Sequence, residues 1–132
     1  MKYITLAFLG LIFISSANAD ISYNCGVKKI VQLSEKGNLV QTKWTKMLEK
    51  QKERIIFVPN SGFFKILGNS QNLKFEVIEN GSSANSLKAI RIVQGPASTV
   101  LETFRINTFS KFEFLYVSGD TVRTGTCLEL GK

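Results

Sequence analysis

Lys111-Phe112-Glu113-Phe114-Leu115-Tyr116-Val117 sets an aromatic residue at every second position, with Lys111, Glu113 and Leu115 between them. Side chains of an extended chain point alternately to opposite faces, so this spacing gives one apolar face and one mixed face. It is the pattern of a half-buried antiparallel strand. The same period appears upstream. Leu73, Phe75 and Val77 alternate with Lys74 and Glu76, and Val100, Phe104 and Ile106 share a face opposite Arg105.

Turn chemistry separates these runs: Pro59-Asn60-Ser61-Gly62, Gly68-Asn69-Ser70, Asn80-Gly81-Ser82 and Ser118-Gly119-Asp120. Glycine and asparagine supply the positive φ angles of tight turns. Spacings of about 8–12 residues between turns are those of a β-sandwich or small barrel. Strands are expected over 26–33, 54–58, 62–67, 72–79, 87–94, 99–107, 111–117 and 121–129. The fold class is therefore mainly β: a single antiparallel sandwich or small barrel of about 7–8 strands.

One segment breaks the rhythm. Thr42 to Arg54 is rich in helix formers and has neither Gly nor Pro, and Trp44, Met47 and Leu48 recur at i, i+3 and i+4. That spacing predicts one short helix near residues 42–53, capped by Thr42, with Trp44 as the buried support that seats it on the sheet. A strand through Val40, Thr42 and Trp44 is the competing reading.

The chain has 132 residues, with 17 Lys+Arg, 10 Asp+Glu, two Cys and no His. Its first 19 residues read as a signal peptide: Met1-Lys2, an apolar run from Tyr3 to Ile14, then Ala17-Asn18-Ala19 before Asp20. A retained anchor is the alternative, but the run is shorter than the roughly 20 residues that a spanning helix needs. Residues 20–132 are then one secreted, periplasmic or extracellular β domain with no transmembrane segment. Loss of Lys2 brings the formal charge from +7 to +6.

In an oxidising compartment Cys25 and Cys127, near the two ends of that domain, are expected to form a disulfide. Closing a loop of about 100 residues contributes up to about 4.7 kcal/mol on the chain-entropy account. Free buried thiols or a redox pair are the alternatives, although a redox pair normally sits close in sequence as C-x-x-C.

Three short pieces carry a resemblance. Ile55-Ile56-Phe57-Val58-Pro59-Asn60-Ser61-Gly62 resembles an F-x-V-D-x-x-T-G element, with Val58 where the group tends to have Asp. Gly81-Ser82-Ser83-Ala84-Asn85-Ser86-Leu87-Lys88 resembles G-S-S-x-x-S-x-K, and Val122-Arg123-Thr124-Gly125-Thr126-Cys127 resembles V-x-T-G-x-C. Together they resemble a group of small exported bacterial proteins of unknown function. The resemblance implies an envelope location and brings no mechanism.

Charge supplies the first candidate site. Lys28, Lys29, Lys36, Lys43, Lys46, Lys50, Lys52 and Arg54 are accompanied only by Glu35, Glu49 and Glu53, a local balance of +5. Lys43, Lys46, Lys50, Lys52 and Arg54 form the candidate binding patch for an anionic partner such as lipid head groups, envelope polysaccharide or an acidic protein. The plainer reading is a solvated helix face on which Glu49 and Glu53 pair locally with the lysines. No nucleic-acid partner is expected, because basic and aromatic residues do not interleave on one strand. Phe63 and Phe64 are the second candidate contact, since adjacent strand residues face opposite ways and one must point outward.

Chemistry is poorly provided for. Absence of His removes the commonest general base and the imidazole metal ligands. Glu76, Glu79, Glu102, Glu113, Asp120 and Glu129 are scattered and mostly fall opposite their strands' apolar face, which is not how a glycosidase-like pair is built. Ser61, Ser82 and Ser83 have no partner base, and Gly81-Ser82-Ser83 lacks a phosphate loop's context. Asn80-Gly81-Ser82 fits a glycosylation pattern but reads as a turn. No metal and no cofactor are expected. The function expected is a non-catalytic binding module for an envelope or extracellular partner. Alternatives are a carboxylate-dependent hydrolase of envelope material, or an inhibitor of an external enzyme. Ser61-Gly62-Phe63-Phe64-Lys65 only partly matches the S-G-x-x-Y element of periplasmic lysozyme inhibitors, which are also small disulfide-bonded barrels.

Overall fold

Phe75 decides how the sheet ends. In a computed structural model that describes residues 20–131, β5 (Leu73–Lys74) and β6 (Glu76–Glu79) are separated by this one residue. The strand order is β5-β4-β3-β1-β10-β9-β8-β7-β6, so the two halves of one bent strand form the sheet's opposite edges. β5 pairs with β4 (Phe63–Ile66), β6 pairs with β7 (Leu87–Gln94), and the Phe75 amide donates to the Gly62 carbonyl at 2.8 Å. The antiparallel sheet therefore closes into a barrel. A closed barrel has no exposed edge, and one of about eight strands is filled by side chains.

The remaining staves are β1 (Ser22–Leu33), β3 (Arg54–Val58), β8 (Thr99–Ile106), β9 (Glu113–Ser118) and β10 (Thr121–Leu130). A two-residue strand, β2 (Leu39–Val40), folds back onto the end of β1. The expected signal segment, 1–19, lies outside the described residues. Strand boundaries differ from expectation by a few residues. At the deciding stretch the chain turns through Phe112 (φ 54), so β9 starts at Glu113 while Phe112 packs half-buried beside Tyr23.

Inward-facing residues follow the sequence alternation. Phe57, Phe64, Phe75, Phe104, Phe114 and Tyr116 form one aromatic cluster whose neighbouring rings lie 4.5–6.4 Å apart. Full burial of each such ring stabilises the fold by roughly 1.5–3 kcal/mol. Cys25 and Cys127 are register partners on adjacent β1 and β10, are joined by a disulfide, and close a sequence separation of 102.

Along β1 the alternation changes phase. Tyr23, Cys25 and Val27 point inward and so does Ile30, because a register shift between Val27 and Lys29 marks a β-bulge. Lys28 and Lys29 are both exposed there. The bulge falls where β3, paired only with 23–26, has left that edge of β1 and β2 has not begun.

Helix α1 (Lys43–Lys50) covers the gap. A reciprocal box caps it: Thr45 N–H donates to Thr42 Oγ1 at 3.1 Å, and Thr42 N–H donates to Thr45 Oγ1 at 2.8 Å. The helix, not the competing strand, occupies this segment, but it is rotated from the expected seating. Thr45 is fully buried and Leu48 and Glu49 are half-buried, whereas Trp44 is 45% and Met47 52% exposed. The reason is the β1 edge beneath it. The Ile30 N–H needs an acceptor, and Glu49 Oε1 supplies one at 2.7 Å. Serving that backbone amide turns the Thr45–Leu48–Glu49 stripe inward and leaves Trp44 at the rim.

Candidate functional site

Rotation of α1 settles where its charges go. Glu49 Oε1 accepts from Ile30 N–H and from Gln41 Nε2, the latter also at 2.7 Å. Glu53 precedes β3, in which Ile55 and Phe57 face inward; it shares their parity and turns toward the barrel. There Arg123 Nε donates to Glu53 Oε2 at 2.7 Å, and both side chains are about 10% exposed. The expected local pairing of Glu49 and Glu53 with the lysines therefore does not form.

Lys43, Lys46, Lys50, Lys52 and Arg54 are all exposed. None has an ion pair among the described residues; Arg54 Nε donates instead to the neutral Asn24 Oδ1 at 3.1 Å. Lys28 and Lys29 are exposed at the β1 bulge that α1 covers, extending the basic ground. Of the two phenylalanines, Phe64 is fully buried in the aromatic cluster, so it is core rather than contact. Phe63, half-buried, is the one on the outer side.

A second feature lies inside the barrel mouth beneath α1. Arg91 Nη1 donates to Glu102 Oε2 at 2.9 Å, and Ser118 Oγ donates to Glu102 Oε1 at 3.0 Å. The Arg123 guanidinium lies 5.8 Å from the centre of the Tyr116 ring, a cation–π distance. Burial, and then the nearby Glu102 charge, raise the Tyr116 pKa above that of an ordinary phenol, against opposing effects of Ser118, Arg123 and Arg91. Two guanidiniums and two carboxylates thus balance in a semi-buried network. No buried side-chain nitrogen or oxygen among the described residues lacks a hydrogen-bond partner.

Above this network is a hollow of about 270 Å³, with Trp44 and Asn69 at its rim. It adjoins another of about 530 Å³ between α1 and the 66–70 turn, and the two share Trp44, Ile66, Asn69 and Arg123. An open hollow of about 560 Å³ at the barrel seam, beside Lys74, Glu76 and Ile90, meets the network only through Arg91.

Buried Glu102 corrects the expectation that the carboxylates fall outside: it is 7% exposed on the inward face. Its parity with Phe104 and Ile106 was the available signal, as was that of Arg123 with Cys127 and of Arg91 with Ala89. The other acids are dispersed. Glu79 pairs with Lys88, Asp120 accepts from Gln32, Glu129 accepts from Tyr23, and Glu76 and Glu113 are exposed. None of the hollows described here is lined by two of the six. Among the described residues no three Cys, Asp or Glu side chains group to hold a metal, and no helix is long and apolar enough to cross a membrane. No protein-family model, curated protein or solved structure matches the chain.

Proposed function

We propose that this chain is an exported, non-catalytic binding module whose α1 face meets an anionic component of the envelope or extracellular medium. The observation that carries the reading is that Glu53 pairs with Arg123 while Glu49 serves the Ile30 amide and Gln41. None of the five basic side chains of 43–54 therefore has an ion pair among the described residues, and Glu49 alone offsets their charge on this face. A net excess of charge of one sign raises the local concentration of an opposite partner and is screened by salt. The disulfide fits an oxidising compartment, in keeping with the expected signal peptide and the resemblance to small exported proteins.

Immobilised, oxidised protein exposed to an envelope extract is expected to capture an anionic species that elutes as salt is raised. The triple variant Lys46→Glu, Lys50→Glu, Lys52→Glu should lose that capture while keeping the parent's circular dichroism. Undiminished capture by the triple variant removes the α1 face from the function.

A further inference from the structure

We propose that the barrel mouth beneath Trp44 is a binding site for a neutral sugar ring, separate in chemistry from the basic outer face of α1. Combined hollows of about 270 and 530 Å³ match the scale of small-ligand sites, roughly 300–1,000 Å³. Their lining distinguishes among ligand classes. At the base, Arg91–Glu102 and Arg123–Glu53 already neutralise one another, so an incoming anion meets guanidiniums whose charge is spent. A hydrocarbon would strip water from four charged groups and return no hydrogen bonds.

Hydroxyl groups both donate and accept, which suits a lining that offers the Arg91 and Arg123 guanidiniums, the Glu102 and Glu53 carboxylates and the Ser118 hydroxyl together. The rim supplies the rest. Trp44 lines both hollows with 45% of its surface exposed, so its indole is open to a ligand there. An indole face packs against the C–H face of a sugar ring, while the Asn69 and Gln71 side chains at the same mouth carry amide donors and acceptors. An exposed tryptophan lining the same hollows as a charge-balanced, two-way hydrogen-bonding network is complementary to a polyhydroxylated ring.

Trp44 is the chain's single tryptophan, so its fluorescence reports on this mouth and on its own helix, and the salt and triple-variant controls tell the two apart. The oxidised protein would be titrated with methyl glycosides of glucose, galactose and N-acetylglucosamine and their disaccharides, and in parallel with inorganic phosphate and pyrene. The expected result is a saturable emission change with at least one glycoside, unaltered by high salt and by the Lys46, Lys50, Lys52 triple variant. Calorimetry should show binding weakened about tenfold in Trp44→Ala, with a smaller loss in the rim variant Gln71→Ala. Absence of saturable binding across the glycosides, or occupation of the mouth by phosphate or pyrene instead, overturns the proposal. Salt-insensitive glycoside binding that persists when anionic capture fails would separate this site from the α1 reading.

Discussion

Arg123 on β10 reaches Glu53, which precedes β3, with Nε to Oε2 at 2.7 Å and a longer Nη2 to Oε1 contact of 3.5 Å. β1 lies between these two strands in the sheet, so the pair spans the barrel mouth across an intervening stave. One contact thereby serves both surfaces of α1. It draws an acid away from the lysines outside and supplies half of the charge-balanced floor inside.

The pair sets the first prediction. Each side chain is about 10% exposed, and removing one partner leaves the other as an uncompensated, largely buried charge. Glu53→Gln or Arg123→Ala should therefore cost about 3–5 kcal/mol in urea unfolding. The double variant Glu53→Leu with Arg123→Met should recover most of that loss, because an apolar pair avoids the desolvation of two ions. Single variants within about 0.5 kcal/mol of the parent would show that water already reaches the pair.

Reduction gives the second prediction. The Cys25–Cys127 bond joins register partners and closes a sequence separation of 102, so it constrains almost the whole unfolded domain. Its loss should lower stability by about 2–5 kcal/mol, seen as a reduced urea midpoint in Cys25→Ser, Cys127→Ser. Mass analysis after alkylation without reductant should find no free thiol in the protein. Two alkylated cysteines there would contradict the bond.

Gly62 and Phe75 supply the third, at the barrel seam. Gly62 has φ +72, and a Cβ placed on it would lie 2.0 Å from the Phe75 carbonyl oxygen. Alanine at 62 must therefore both adopt a disfavoured conformation and push β4 away from the bent strand that closes the sheet. Gly37 is the control: its φ is +79, with nothing within 4 Å of a Cβ. Gly37→Ala should cost only the conformational part, about 1–2 kcal/mol, and Gly62→Ala distinctly more. Equal losses would mean that the seam gives way freely.

What the sequence makes legible here follows from which physics is local. Strand alternation and turn residues are local, so the barrel's staves are readable down to the 72–79 segment that forms both sheet edges. The bulge at Lys28 is visible only as an odd spacing between Val27 and Ile30. Helix orientation is not local. Hydrophobic spacing favours Trp44 inward, yet an unpaired Ile30 amide on another strand selects Glu49 and Thr45. The polar floor was within reach, since Glu102, Arg123 and Arg91 share parity with core residues. Their charge hides the pattern, because an ionised side chain on an inward face makes sense only once its partner, distant in sequence, is known.

Alkaline pH provides the last prediction. The Tyr23 hydroxyl donates to Glu129 Oε2 at 3.3 Å, and the ring is only 5% exposed. Burial, then the charge of Glu129 and the hydrogen bond to it, push the Tyr23 pKa from 10.0 up to about 12. Tyr116 moves in the same direction through burial and Glu102. A raised pKa means that the folded chain holds the phenol proton more tightly than the unfolded chain does. The stabilisation is therefore fully present below the unfolded value of 10.0 and is lost as pH rises toward about 12. Denaturant midpoints should be flat from neutral pH to about 9 and then fall, with phenolate absorbance lagging behind that of free tyrosine. Tyr23→Phe should remove part of the slope and leave the contribution of Tyr116. A slope unchanged in Tyr23→Phe would place the alkaline loss elsewhere, and a phenolate signal rising near 10 in the folded protein would show that Tyr23 is open to water.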